Sequence, residues 1–366
     1  MEKRSLFPGI DPSVWEHPAD RAALAAFASI PGADDLIRRF VGSTTERALR
    51  LEALANGARV TETQFARVHR LLKEAARVLD APRLPEAYIR LSSEAGAFSL
   101  GVDAPFLVLT SASLDLWDDA ELLSVLGHEL GHILSGHAIY KTMLSIIVNA
   151  SATLAGSSLV AGATVAAVRA ALREWDRKSE LSADRAGLLV GQNPMASYRA
   201  LMKTAGGPSV ADMDLNEFFR QARDYDASTE GLDSLYKLLG VLGESHPFPV
   251  VRITALQEWE KGGSYSSVLK GEYARRGEGT RPEAERLFEN ARSSYKNEFS
   301  ASEDPLSQAA GTVMDALDSL MHGGGFPGVG AKRGRAKTDE QDDSSNSSNG
   351  SKSIEDVIND IFGPMR

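Results

Sequence analysis

His128-Glu129-Leu130-Gly131-His132 sets two imidazoles four residues apart with a carboxylate beside the first, and H-E-x-x-H spacing suits a zinc ion with an activated water. At about 100° per residue, positions four apart differ by roughly 40° around a helix, so His128 and His132 present their rings from one face. Glu129 lies about 100° from His128, near enough to take a proton from a metal-held water without being a ligand. Three fixed letters in five recur by accident in roughly one chain per hundred of this size, so the surrounding elements must decide.

That geometry needs a helix, and the flanks predict one. Asp118 followed by Glu121 resembles a capping box, and Leu122, Leu123, Val125, Leu126, Leu130, Ile133 and Leu134 carry an apolar stripe through the motif, so the helix is expected to be buried. One histidine on such a helix is ordinarily a satisfied core residue; two at this spacing with Glu between them reverse that reading. Catalytic zinc takes three protein ligands and keeps one open position. His137 does not fit the pattern H-E-x-x-H-x-x-G-x-x-H, which needs glycine at 135 and histidine at 138. On a continuous helix it would also point about 180° away from His128, so it reads as a surface or structural histidine. The better donor lies in Ser179-Glu180-Leu181-Ser182-Ala183-Asp184-Arg185-Ala186-Gly187, where Glu180 and Asp184 share a helical face one turn apart. The competing reading is an exposed acidic face beside Lys178 and Arg185.

Over about 85–260 these residues resemble the gluzincin metalloendopeptidases of the HtpX and CaaX-prenyl-protease type. Trp117-Asp118-Asp119-Ala120-Glu121-Leu122-Leu123-Ser124-Val125-Leu126-Gly127 is similar to the acidic, then apolar lead-in that the family places before its zinc helix. The resemblance implies a metalloprotease core with a small β-sheet; with the flanking helical segments and disordered C-terminal tail read from composition and periodicity, the expected fold is α+β, mainly helical. The resemblance also implies one Zn²⁺ per chain held by His128, His132 and Glu180, with Glu129 as general base and Asp184 as a carboxylate behind a ligating imidazole. Ser245-His246-Pro247 with Arg252 resembles the family's later H-P…R element. On that basis His246 donates to the tetrahedral intermediate, although a structural histidine ahead of Pro247 fits equally. Arg252 is expected to pair with Asp184 or Glu180, to stabilise substrate, or to be an ordinary surface helix arginine. Gly96-Ala97-Phe98-Ser99 stands where relatives usually carry Asn-Ala-Phe-Ala on the strand lining the cleft, so these four are expected at the substrate. Gly96 replaces the Asn, and no contact of that side chain carries over.

A protease also needs a place for an extended polypeptide. Phe98, Leu100 and Val102 alternate with Ser99 and Gly101, and after Asp103-Ala104-Pro105 comes the apolar run Phe106-Leu107-Val108-Leu109, which predicts a hairpin. An edge strand there would bind substrate backbone by strand addition. The expected function is a zinc-dependent endopeptidase acting on unfolded or damaged protein in quality control. Two alternatives stay open: a catalytically inactive metal-binding adaptor or chaperone-like polypeptide-binding protein, and a metal-free helical interaction protein in which the motif is accidental.

Composition bounds the rest. With 366 residues, 43% hydrophobic and 25% charged, the chain can bury a full core and carry an accessory part. A net charge of −10 gives a nucleic-acid partner little support, and zero cysteines leave only nitrogen and oxygen donors for a metal. Four parts are expected: a helical lead-in over 1–84, the metallopeptidase core over 85–260, a helical segment over 261–325, and a disordered tail over 326–366. Thr61 and Gln64 predict a capping box for a lead-in helix running to Leu79. The uncharged stretch 143–168 is long enough for one membrane span, but a single crossing would separate the histidines from Glu180. It is read as a packed helical hairpin, with peripheral membrane contact left open, and the location as cytoplasmic. Ile354, Val357, Ile358, Ile361 and Phe362 recur at helical spacing after Ser353, so 353–362 is either a ligand helix that docks on this chain or a partner, or a short helix packed loosely on its own domain.

Overall fold

The structure, a computed structural model, describes residues 4–21, 43–101, 103–142, 144, 159–227 and 248–277. His246, residues 143 and 145–158 of the hairpin expected over 143–168, and the segments after 277, including the tail and its 353–362 helix, lie outside the described residues.

The fold is mainly helical with one small mixed sheet. The strands β1 (Gly57–Arg59), β2 (Ala87–Arg90), β3 (Ala97–Leu100) and β4 (Phe106–Thr110) run in the order β1-β2-β4-β3. β4 pairs parallel with β2 and antiparallel with β3, and all five of its residues are buried, as expected of a strand flanked on both sides and covered on both faces. The expected hairpin forms, with Ala97 opposite Leu109 and Leu100 opposite Phe106. Gly101 starts its turn at φ 115°, a backbone state that side chains disfavour. Among the described residues β3 is left as a sheet edge.

The helices are α1 (Ser43–Asn56), α2 (Ala66–Val78), α3 (Ser111–Leu116), α4 (Asp119–Leu134), α5 (Leu159–Gly191), α6 (Pro194–Gly206), α7 (Leu215–Ala227), α8 (Pro249–Lys261) and α9 (Ser264–Leu269). α4 starts with the predicted box: Asp118 Oδ1 accepts from the Ala120 and Glu121 amides, and Glu121 Oε2 accepts from the Asp118 amide at 3.0 Å. α2 departs from expectation. Thr61 Oγ1 accepts the Gln64 amide, but the Thr61 amide bonds back to the Gln64 carbonyl, Gln64 Nε2 turns to the Arg59 carbonyl, and Phe65 sits at φ 53°. The Thr61–Gln64 pair therefore closes a tight turn, and the helix begins at Ala66 without a side-chain cap.

Glycines let α4 and α5 approach closely, with Gly131 against Ala186 and Gly187 against the Ser124 carbonyl. A Cβ added at Gly187 would stand 2.6 Å from that carbonyl oxygen, a backbone atom that cannot swing aside. Gly187→Ala is expected to cost on the order of 1–3 kcal/mol, since overpacking must push the helices apart. Urea unfolding checks this, and an unchanged midpoint would contradict the close crossing.

Residues 4–21 close the far end of this pair. Phe7, Ile10 and Trp15 are buried, Trp15 Nε1 donates to Ser135 Oγ at 3.1 Å, and the His17 amide donates to Ser182 Oγ at 2.7 Å. Among the described residues no helix is long and apolar enough to cross a membrane.

Candidate metal centre

Gly127 against Val190 and Gly131 against Ala186 bring one face of α4 close to α5, and the two histidines lie beside these glycines. His128 Nε2 and His132 Nε2 lie 3.1 Å apart. From α5, Glu180 reaches both, with Oε2 at 3.4 Å from His128 Nε2 and Oε1 at 3.2 Å from His132 Nε2. One donor atom from each residue falls within 4.8 Å of the others, and all three side chains are buried. Two imidazole nitrogens facing each other at 3.1 Å repel unless a proton or a cation lies between them. Two nitrogens and a carboxylate oxygen are also a donor set that a divalent ion such as zinc accepts, so the residues fit the metal expected from the sequence.

Glu129 stands beside this set, its Oε1 4.0 Å from His128 Nε2 and its Oε2 buried with no hydrogen-bond partner. Burial raises the Glu129 carboxyl above its ordinary value, with neighbouring Glu180 adding to the rise and His128, Lys141 and the Ser99 hydroxyl opposing it. Burial disfavours charge on His128, yet Glu180 and Asp184 push that imidazole up to about 9. His132 goes the other way, lowered well below its ordinary value by burial and by the nearby Lys141 ammonium.

Asp184 lies behind His128, with Oδ1 3.0 Å from Nδ1. Arg252, on α8, grips Asp184 through both fork arms, Nε to Oδ2 at 2.8 Å and Nη2 to Oδ1 at 2.6 Å, and its Nη1 stands 3.3 Å from Glu180 Oε2. Of the alternatives open for Arg252, the pairing with both carboxylates is the one observed, and the side chain is buried. The acidic pair at 180 and 184 likewise faces inward rather than forming an exposed acidic face.

A cleft of about 310 Å³ opens over the group. His128, Glu129, Glu180, Asp184 and Arg252 line it alongside the apolar Trp117, Val125, Leu201, Phe248 and Leu256, and Ala95, Gly96 and Ala97 lead into the β3 edge. Of the four residues expected at substrate, Gly96 and Ala97 border this cleft. Phe98 points to the opposite sheet face against the cluster of Tyr88, Leu100 and Phe106, and Ser99 is buried. Gly96 is held by its amide to Thr110 Oγ1 and Ser113 Oγ, and a Cβ there would meet Thr110 Cγ2 at 4.0 Å, an ordinary van der Waals contact.

Sequence reasoning missed three residues here. Of the two readings open for His137, surface or structural, burial selects the structural one, but its contact with the site was not foreseen: its Nδ1 lies 3.0 Å from His132 Nδ1. His137 would face away from His128 only on a continuous helix, but α4 ends at Leu134 and Gly136, at φ 73°, turns the chain before a second helical segment over 137–142. Ser135-Gly136 was the legible stop signal. Lys141 Nζ bridges Asp176 Oδ1 at 2.7 Å and Glu180 Oε1 at 2.6 Å, and Asp20 Oδ2 lies 3.1 Å from His137 Nε2. No local pattern marks either one.

Residues 62–260 match the model of Peptidase family M48. The chain is 34% identical over 270 residues to the plastoglobule-localized metallopeptidase 48, chloroplastic, of Arabidopsis thaliana, covering 72% of this chain and 77% of that one. It is 26% identical over 228 residues to a protease HtpX homolog of Trichormus variabilis, covering 55% and 76%. A protease HtpX homolog of Bacillus subtilis is 32% identical over 145 residues, covering 36% and 45%. No solved structure matches the chain.

Proposed function

Because the chain belongs to peptidase family M48 and is a metalloprotease, we propose that it is a zinc-dependent endopeptidase acting on unfolded or damaged polypeptide, with a role in protein quality control. The observation that carries this reading is the convergence of His128, His132 and Glu180 with an unpartnered Glu129 carboxylate oxygen beside them in an open cleft.

In this reading His128, His132 and Glu180 would hold the ion. When bound, zinc supplies a Lewis acid that polarises a carbonyl and draws the pKa of a water toward about 7. Glu129 is the proton carrier. Its raised carboxyl makes it a stronger base than an exposed glutamate, so it accepts the proton of the attacking water and delivers it to the leaving amine. Asp184 accepts the His128 Nδ1–H and keeps the Nε2 lone pair on the site, while the Arg252 fork keeps Asp184 in place. The β3 edge offers backbone groups to an extended substrate from Ala97 onward, while Gly96, whose amide and carbonyl are bonded to Thr110 and Ser113, fixes where the strand enters the cleft. His246 is proposed to donate a hydrogen bond to the substrate as its carbonyl turns tetrahedral.

A cytoplasmic location with peripheral membrane contact through 143–168 completes the reading; the plastoglobule localisation in the name of the Arabidopsis relative favours the peripheral contact. Casein digestion by the full chain tests the function. Treatment with a chelator should abolish cleavage and added zinc should restore it. Stoichiometric zinc with no cleavage would support the inactive adaptor instead.

A further inference from the structure

The two metal-facing imidazoles are supported from behind in different ways. His128 Nδ1 meets the Asp184 carboxylate directly, whereas His132 Nδ1 meets another imidazole, His137, at 3.0 Å between the two Nδ1 atoms. That contact needs one proton shared between two nitrogens, so one ring must donate and the other accept. The far side of His137 decides which. His137 Nε2 lies 3.1 Å from Asp20 Oδ2, an oxygen that also accepts the Ser182 hydroxyl at 2.5 Å. Ser182 in turn accepts the His17 amide at 2.7 Å, which turns its own O–H toward Asp20.

An accepting Asp20 oxygen calls for an N–H at His137 Nε2, which leaves Nδ1 of the neutral ring as a bare acceptor. His132 must then carry its proton on Nδ1, and its lone pair falls on Nε2, the atom that faces His128 and Glu180. Asp20, His132, His137 and Ser182 are each at most 1% exposed, so solvent cannot replace any of these links.

We propose that Asp20 and His137 are positioning residues for His132: a Ser182, Asp20, His137, His132 relay, reaching from the N-terminal segment across to α4, fixes the tautomer and aim of that metal ligand. It rests on the reading of His128, His132 and Glu180 as zinc ligands. By it, residues 4–21 are part of the metal site and not only a cover for the core.

The test uses the full chain with Asp20→Asn, His137→Phe and both together. Phenylalanine keeps the ring contact with Trp175, whose centroid lies 5.6 Å from that of His137, and removes both nitrogens. Asparagine in place of Asp20 keeps an oxygen for the Ser182 hydroxyl but removes the negative charge that holds the N–H on His137 Nε2. Each single variant is expected to weaken zinc binding about 10- to 100-fold in competition with a chromophoric chelator, as loss of a partner behind a metal ligand does. The double variant should bind no more weakly than His137→Phe alone, and the visible spectrum of the cobalt-loaded chain should shift in both single variants. If His137→Phe does not fold, Asp20→Asn and Ser182→Ala carry the same expectation.

Wild-type zinc affinity in these variants, penalties that multiply in the double variant, or a lowered metal-free unfolding midpoint with an unchanged cobalt spectrum would each overturn the relay. A wild-type chain that binds no zinc would overturn the metalloprotease mechanism itself, so the two failures are distinguishable.

Discussion

Glu129→Gln is expected to lower kcat on casein or a peptide substrate by about 10²- to 10⁴-fold, the usual contribution of a positioned general base, while one zinc per chain is retained. Glutamine keeps the size and shape of the side chain but cannot take a proton from water. Glu129 is buried, and its Oε2 has no hydrogen-bond partner. Such an oxygen costs stability in the folded chain and is available to a ligand. Removing its charge should therefore leave the unfolding midpoint equal to or above that of the wild type, as expected where a group serves chemistry at the expense of stability. Activity within tenfold of wild type would remove Glu129 from the reaction.

Arg252→Met should produce the largest loss of stability, about 3–5 kcal/mol in urea unfolding of the metal-free chain, because it strips a buried carboxylate pair of its partner. The guanidinium holds Asp184 through two bonds and stands 3.3 Å from Glu180, so its removal leaves both acids near Glu129 with less positive charge between them. Arg252→Lys should recover only part of the loss, since an ammonium cannot form the two-armed contact. Burial works to raise the Asp184 carboxyl, but Arg252 and His128 hold it below its ordinary 3.8. A depressed carboxyl contributes stability that is fully present above that ordinary value and is lost as pH falls through the folded one. Without Arg252 the acid-induced loss should therefore begin at higher pH. A penalty below about 1 kcal/mol would mean that the pair is solvated in solution and behaves as a surface salt bridge.

What the sequence made legible was local in character. Both halves of the site are written within one or two helical turns: His128 and His132 four apart behind the Asp118 box, and Glu180 and Asp184 four apart on α5. Periodicity brings each pair onto one face without knowledge of the fold. The β3–β4 hairpin was readable for the same reason, since apolar alternation survives over four or five residues. β1 and β2 were not, because β1 has only three residues and Ala87, Tyr88 and Ile89 of β2 are buried in succession without alternating.

The remaining differences come from points where the chain leaves a regular element. Gly136 ends the helix, after which angles counted from His128 lose their meaning, and His137 returns to the site instead of facing away. Phe65 breaks the path from Thr61 into α2. Asp20 and Lys141 join the site only through tertiary contacts, with Asp20 more than a hundred residues from the ring it supports.

The central claim is that three side chains from two helices bind one ion. Zinc stoichiometry and affinity of the wild-type chain against Glu180→Ala test it most directly. One zinc per wild-type chain and loss of tight binding in the variant are predicted; stoichiometric zinc held by Glu180→Ala at wild-type affinity would contradict it.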